Sequence, residues 1–361
     1  MKNSFWKNKK VFITGHTGFK GSWLVIILKY LGAKVSGYAL NPISKPNFFG
    51  NLNLSKYLEN DFRGDIKNFS NLNKAIKKCK PNIVFHLAAQ SSVLVSYKNP
   101  DDTLKTNVIG TFNLLKAIQL NKSIISAIIV TTDKVYLNED KKTNFDENSK
   151  LGGHDIYSSS KACCEIVTES FVKSFINKEK CRIATVRSGN CIGGGDWTED
   201  RIVKDCVEAF IHKKNLSIRS PDATRPWQHV MEQICGYLKL AEKLLSKNGQ
   251  KFTGSWNFGP SNVNLSVLNL AKLGKKIFNS KSKIIINKKN KNKKHEAKYL
   301  SLNSIKSLKI LKWKVYMKPE VALKYTFDWF KTFYANRKNK QKVINFTIDQ
   351  FKDFQKKIRY F

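Results

Sequence analysis

The chain has 361 residues, 41% of them hydrophobic, which is enough for a sizeable core in one large domain or two smaller ones. Its formal charge is +38, but the cations are eight Arg against 57 Lys spread along the whole length among many Asn. That pattern reads as solvated surface and excludes nucleic acid as the expected partner. No run reaches the roughly 18 apolar residues of a membrane span, since "WLVIILKYL" is short and broken by Lys29. The basic start "MKNSFWKNKK" leads straight into a strand, so no secretion signal is expected. Seven Cys without a CxxC pair and six scattered His predict reduced thiols, no metal site and a cytoplasmic setting.

In chain order, "KVFIT" at 10–14 reads as a strand, 20–31 as a helix and "KVSGYAL" as a second strand. "NIVFHLAA" from Asn82 is the next strand, followed by a helical pattern from Asp101 to Gln119. "SAIIVTT" is a strand, 137–155 a polar loop, 157–175 a helix and "CRIATVR" a further strand. Strands alternating with helices predict a doubly wound parallel sheet of Rossmann type. After about residue 187 the pattern loosens, which predicts a smaller, mixed α/β C-terminal substrate domain. The expected division is 1–187 with 226–257 returning to it, against 188–225 and 258–361.

Gly15, Gly18 and Gly21 lie three apart in "GHTGFKG", between the first strand and the first helix. Bare backbone at such a turn lets a pyrophosphate approach the free N–H groups of the helix start. The dinucleotide fingerprint expects an acid about 20 residues on to hold the ribose; here the position is Asn41, in "YALNP". NAD is the expected cofactor. NADP stays open, because Asn does not repel a 2′-phosphate and the nearest cation along the chain is Lys45. Asp65 in "RGDI" is a candidate acceptor for the adenine amino group, and equally a helix cap.

"YSSSK" places Tyr157 and Lys161 four apart, on one face of a helix. An ammonium beside a phenol favours the phenolate, which can accept a hydroxyl proton while hydride leaves the same carbon. "TTDKVY" puts Thr132, Asp133 and Lys134 at the exit of a strand, on the sheet edge where ligands bind in this architecture. Asn190, Arg201 and Arg225 are candidates for a substrate diphosphate, and Trp197 behind "GGG" for stacking on sugar or base. Tyr299 in "HEAKYL" is a candidate for closing the pyrophosphate side.

The stretches "VFITGHTGFKGSWL", "PNIVFHLAAQ", "TNVIGT", "TDKVY", "YSSSKACCE", "RSGNCIGGGDW", "RPWQHV", "WNFGP", "HEAKYL" and "FTIDQF" run from residue 5 to about 352. On them the chain resembles the CDP-glucose 4,6-dehydratases, within the extended short-chain dehydrogenase/reductase family. The resemblance implies NAD, a CDP-hexose substrate, a homodimer and a catalytic set of Thr132, Asp133, Lys134, Tyr157 and Lys161. It implies cofactor contacts at Gly15, Thr17, Gly18, Phe19, Lys20, Gly21, Asn41, Asp65, Ile66, Ala88, Ala89 and Gln90, besides Tyr157 and Lys161. It further implies Tyr157 as base at the C4 hydroxyl, Asp133 as acid for the leaving C6 hydroxyl and Lys134 as base at C5. Departures are Leu94 where the family has Arg, "GGHDIYS" for "GGYDPYS", and Lys204 for a Pro. Competing readings are an epimerase, a dehydratase of GDP-, dTDP- or UDP-hexoses, and a non-catalytic NAD(P) sensor. An epimerase needs no acid/base pair after the Thr, and a sensor needs no YxxxK.

Overall fold

The computed structural model describes residues 3–139, 143–199, 201–260, 265–287 and 300–359. Seven parallel strands form the main sheet: β1 (Lys10–Thr14), β2 (Lys34–Ala39), β3 (Asn60–Arg63), β4 (Ile83–His86), β5 (Ser126–Val130), β6 (Arg182–Ser188) and β7 (Gly254–Phe258). Their spatial order is β7-β6-β5-β4-β1-β2-β3, with the chain reversing direction across the sheet at β1 and β4. That reversal opens a crevice at the carboxyl ends of the strands.

Alternation explains the layers. In β1, Val11 and Ile13 join one buried cluster and Phe12 the other. The first cluster receives helix α1 (Phe19–Tyr30) and the later helix Val230–Leu244. The second receives Phe69–Cys79, Gly110–Leu120 and the helix Ile156–Phe175. Helix α1 buries every residue from Gly21 to Leu28, matching its unbroken apolar run.

The helix expected over 101–119 is present but interrupted. Pro100–Leu104 passes through a π-type turn at Lys105–Ile109 before Gly110–Leu120. The wider turn carries Asn107 into the interior. Strands β3 and β7 were not read from the sequence; β3 has four residues, three half-buried and Arg63 exposed, and lies at the sheet edge. Beyond β6 the small strand pairs are of mixed sense: Cys191–Ile192 runs parallel with Gln228–His229, and Thr224–Arg225 antiparallel with Leu265–Ser266.

Candidate active site

The three glycines do different work. A Cβ on Gly15, whose φ is +76°, would meet the backbone N of Ala88 at 2.6 Å, and one on Gly21 would meet the Gly15 carbonyl oxygen at 2.3 Å. These two are bare because the turn folds onto itself and onto the exit of β4. Gly18 is exposed; its nearest foreign atom would lie 3.4 Å away. It stands at the N-cap of α1, so no capping side chain occupies the N–H groups of the first turn. An exposed glycine before an uncapped helix start fits the diphosphate of a dinucleotide.

The other expected cofactor residues lie in this turn or just after the ends of β2, β3 and β4. The Thr17 hydroxyl, in the turn, donates to the Leu40 carbonyl at 2.9 Å, tying it to the end of β2 beside exposed Asn41. Phe19 packs at Gly193. Lys20 turns inward: its Nζ donates to Gln233 Oε1 at 2.7 Å and Tyr237 OH at 3.3 Å. Only its main chain therefore remains for a phosphate. Asp65 accepts from the Lys67 N–H at 2.9 Å and its carboxylate lies 3.3 Å from Lys67 Nζ; this is a local turn and not a helix cap, since Asn68 caps the helix Phe69–Cys79. Ile66 packs against Gly110. Ala88, Ala89 and Gln90 continue from β4 half-buried. The Gln90 main chain exchanges two hydrogen bonds with Asn107, at 2.9 and 3.0 Å.

Thr132, Asp133 and Lys134 follow β5 directly, the last two within a short 3₁₀ turn. Asp133 is 2% exposed. Its Oδ1 accepts from the Thr132 hydroxyl at 2.9 Å and from Lys134 Nζ at 3.3 Å. The Thr132 hydroxyl thus points to Asp133 here, rather than into the crevice. Tyr157 and Lys161 occupy the first two turns of the helix Ile156–Phe175, both buried. Asp155 caps that helix, accepting from the Ser158 N–H at 3.0 Å. Lys161 Nζ donates to the Val130 carbonyl at 3.2 Å, which fixes the helix against the last residue of β5. Burial, helped by the Lys161 charge, pushes neighbouring His86 down to about 3, so this imidazole stays neutral between Thr14 and Thr111.

Supports not read from the sequence hold this constellation. Asn107 donates to Ser160 Oγ at 2.8 Å, joining the first turns of the helix Ile156–Phe175 to the Gln90 loop. Glu165, one turn beyond Lys161, accepts from Thr131 and, at 2.6 Å, from Thr185, and pairs with Arg187 at 2.9 Å. Both ends of that ion pair are buried. Burial opposes the Arg187 charge, but the Glu165 carboxylate outweighs it and raises its pKa. Thr131 precedes Thr132, so one carboxylate ties the helix Ile156–Phe175 to the exit of β5. A Glu four after the Lys was the available signal.

The expected substrate residues fare differently. Asn190 follows Gly189, where a Cβ would lie 3.0 Å from Asp133 Oδ2, and its carbonyl accepts from the Gln228 N–H at 3.1 Å. Trp197 is 3% exposed, edge-on to Trp329, Phe330 and Phe333 at 5.0–5.9 Å, and forms part of the core. The glycine run before it is filled likewise, Gly194 by Trp329 and Gly195 by Phe48. Those glycines admit aromatic rings of this chain rather than a ligand. Arg201 is exposed, at the start of the helix Ile202–Ile211. The Arg225 backbone pairs with Leu265. The Arg225 side chain and Tyr299 lie outside the described residues. No group of three His, Cys, Asp or Glu arranged for a metal occurs among the described residues.

The model of the GDP-mannose 4,6-dehydratase family matches residues 12–325. The chain belongs to that family. Within it, the chain is similar to a CDP-glucose 4,6-dehydratase of Salmonella typhimurium, at 44% identity over 262 residues, 71% of this chain and 72% of that one. A human dTDP-D-glucose 4,6-dehydratase is 25% identical over 344 residues, 93% of this chain and 94% of the other. Among solved structures, the family fold is shared with dTDP-glucose 4,6-dehydratase from Bacillus anthracis in complex with NAD, at TM-score 0.73 and 20% identity over 92% of this chain and 98% of that chain. UDP-glucose 4-epimerase from Thermotoga maritima with UDP-glucose gives TM-score 0.75 and 22% identity over 90% and 99%. These neighbours have the doubly wound parallel sheet expected from the sequence.

Proposed function

We propose that this chain is an NAD-dependent nucleotide-sugar 4,6-dehydratase that converts CDP-glucose to CDP-4-keto-6-deoxyglucose. The observation that carries the reading is the contiguous Thr132-Asp133-Lys134 exit beside buried Tyr157 and Lys161. The cytidine assignment is supported by the 44% identical relative. Gly18 and the open first turn of α1 would hold the cofactor diphosphate, with Asn41 at the ribose end. NAD, when bound, accepts hydride from C4 of the sugar and gives it back at C6.

The chain's own groups move the protons. Tyr157 takes the proton of the C4 hydroxyl, and Lys161 stabilises the phenolate. With a ketone at C4, the C5 hydrogen becomes acidic. Asp133 and Lys134 touch at 3.3 Å, so a proton passed from ammonium to carboxylate turns the ion pair into a neutral acid and a neutral amine. The amine then takes the C5 proton while the acid gives its own to the departing C6 hydroxyl, which leaves as water. That step restores the ion pair, and Lys134 returns its proton to C5 as hydride reaches C6. Buried Asp133 carries out this exchange shielded from solvent.

The test is incubation with CDP-, dTDP-, GDP- and UDP-hexoses, followed by mass spectrometry for loss of water. CDP-glucose is expected to react, and turnover of dTDP-glucose alone would overturn the cytidine assignment.

The working unit of this reading is a homodimer in the cytoplasm. Leu104, Ile109, Phe112, Leu120, Ile166 and Phe175 are all more than a third exposed on the helices of 100–120 and 156–175. Phe112 and Phe175 both adjoin Phe171, so the two helices present one apolar face. A second copy covers it by self-complementarity. Light scattering at micromolar concentration is expected to give twice the chain mass, and Phe112→Glu a monomer. The cytoplasmic placement is supported by seven free thiols, and no helix among the described residues is long and apolar enough to cross a membrane.

A further inference from the structure

Beside the end of β2, where the dinucleotide fold reads the cofactor ribose, three charged or titratable side chains form a closed group. Arg63 ends β3 and stands in register with Ala39, the last residue of β2. It therefore lies one strand from the ribose position, although 22 residues separate it from Asn41 along the chain. Its guanidinium grips the Asp61 carboxylate with two prongs, Nη1 to Oδ1 and Nη2 to Oδ2, the second at 2.9 Å. His16, the residue after Gly15, holds its Nε2 2.8 Å from the same Oδ1 and 3.0 Å from Arg63 Nη1. Phe49 completes the pocket, with its ring 5.1 Å from the guanidinium and edge-on to His16 at 5.2 Å. Burial pushes the His16 imidazole below its usual range, so it adds no charge. The group is neutral in sum, one carboxylate against one guanidinium.

In this fold an acid at the end of β2 selects NAD through the 2′-hydroxyl, whereas an Arg nearby accepts the 2′-phosphate of NADP. This chain has Asn41 in the acid's place and an Arg one strand away. Nothing at Asn41 repels a 2′-phosphate. What remains against NADP is that the guanidinium of Arg63 is already bound by a carboxylate in the geometry it would use for a phosphate.

We propose that Asp61 determines cofactor choice by holding Arg63, so that the guanidinium a 2′-phosphate needs is withheld, and that freeing Arg63 opens the site to NADP. Asp61 acts through Arg63 as a specificity-determining residue. Removing its charge leaves an uncompensated guanidinium with a third of its side chain exposed at the ribose end. The inference rests on the dinucleotide-binding part of the proposed function, not on the identity of the sugar.

The test is calorimetric titration of the full chain with NAD and with NADP, at fixed ionic strength, for wild type, Asp61→Asn, Arg63→Met and the double variant. Asn keeps the size of the side chain and removes the charge. Wild type is expected to favour NAD. Asp61→Asn is expected to move the ratio of dissociation constants toward NADP by about ten- to a hundredfold, the worth of a charge-assisted hydrogen-bonded pair. The double variant loses that gain, and Arg63→Met alone keeps the wild-type ratio. An unchanged ratio in Asp61→Asn, a gain that survives without Arg63, or a wild type that prefers NADP overturns the proposal. Loss of NADP affinity in Arg63→Met also overturns it, because Arg63 would then already be a phosphate ligand; this arm holds even should Asp61→Asn fold poorly. Binding of neither cofactor by wild type would instead remove the dinucleotide reading on which the proposal rests.

Discussion

Asp133 and Lys134 are adjacent in sequence and in contact, yet the proposed reaction gives them opposite tasks. If both serve only the elimination, losing either spares the first oxidation. Asp133→Asn keeps size and polarity without a proton to give, and Lys134→Ala removes the C5 base. General acid or base help is worth about 10²–10⁴-fold, so water loss is expected to slow by that factor in each. Reduced cofactor then accumulates, visible by its absorbance, together with 4-keto sugar that retains its C6 oxygen. Tyr157→Phe, which lacks the first base, is expected to give neither. Equal loss of reduced cofactor in all three would make the pair structural. At this scale the sequence was informative wherever chemistry is local. Tyr157, Lys161 and the Thr132–Lys134 run announce themselves by spacing. Arg63 and Trp197 do not, because their roles depend on neighbours far along the chain. The strand register brings Arg63 beside Ala39 at the end of β2, and the fold of the last third buries Trp197.

Elements hold these residues through contacts that no local pattern contains. The helix Ile156–Phe175 is fastened to β5 and β6 by Glu165, which meets Thr131, Thr185 and Arg187. Arg187 continues the network to Tyr136 at 2.9 Å, and Tyr136 donates to Asn257 of β7 at 2.7 Å. Removing one partner strands a buried charge, which costs roughly 3–5 kcal/mol. Arg187→Met is therefore expected to lower the urea midpoint sharply, and Glu165→Gln with Arg187→Met to recover part of the loss. A double variant no more stable than Arg187→Met alone would deny the pairing this weight. The periodicity of 101–119 gave a helix but not its π-type turn. The turn exists because Asn107 is drawn in toward Gln90 and Ser160. Strand β3 was illegible for another reason: "NDFR" at a half-exposed edge carries neither alternation nor a buried run.

Over the whole molecule, buried titratable groups set the pH range of stability. Burial holds His86 and His229 neutral, each down to about 3. Their unfolded value is about 6.5, so the stability they contribute is complete above that pH and is lost as pH falls toward 3. The loss is about 1.4 kcal/mol per pH unit for each imidazole. Burial pushes Glu232 the other way, up to about 7. From its ordinary value near 4.5 up to that point it loses stability as pH rises, at the same rate; Glu147 and Glu242, also raised by burial, act in the same sense, and His16, lowered by burial, acts with the other imidazoles. The two fully buried imidazoles carry the largest share, so stability is expected to climb between about pH 4.5 and 6.5 and to peak there. Urea unfolding across that range checks the sign, and a midpoint that falls with rising pH below 6.5 would contradict it.

Strand β7 lies at one edge of the sheet, hydrogen-bonded to β6 over residues 184–188, although some 65 residues of chain intervene between them. During synthesis, β6 leaves the ribosome with one side of its backbone unpaired. It stays so until residue 258 has emerged, which takes several seconds at about 5–20 residues per second. Its core, Ile183, Ala184 and Val186, is apolar, and an unpaired apolar edge invites pairing with another chain. The N-terminal half therefore emerges as an aggregation-prone intermediate that needs either a chaperone's cover or its own distant strand. A chain cut short near residue 190 should consequently collect in the insoluble fraction, while co-expression of 191–359 as a separate fragment should return both pieces to solution.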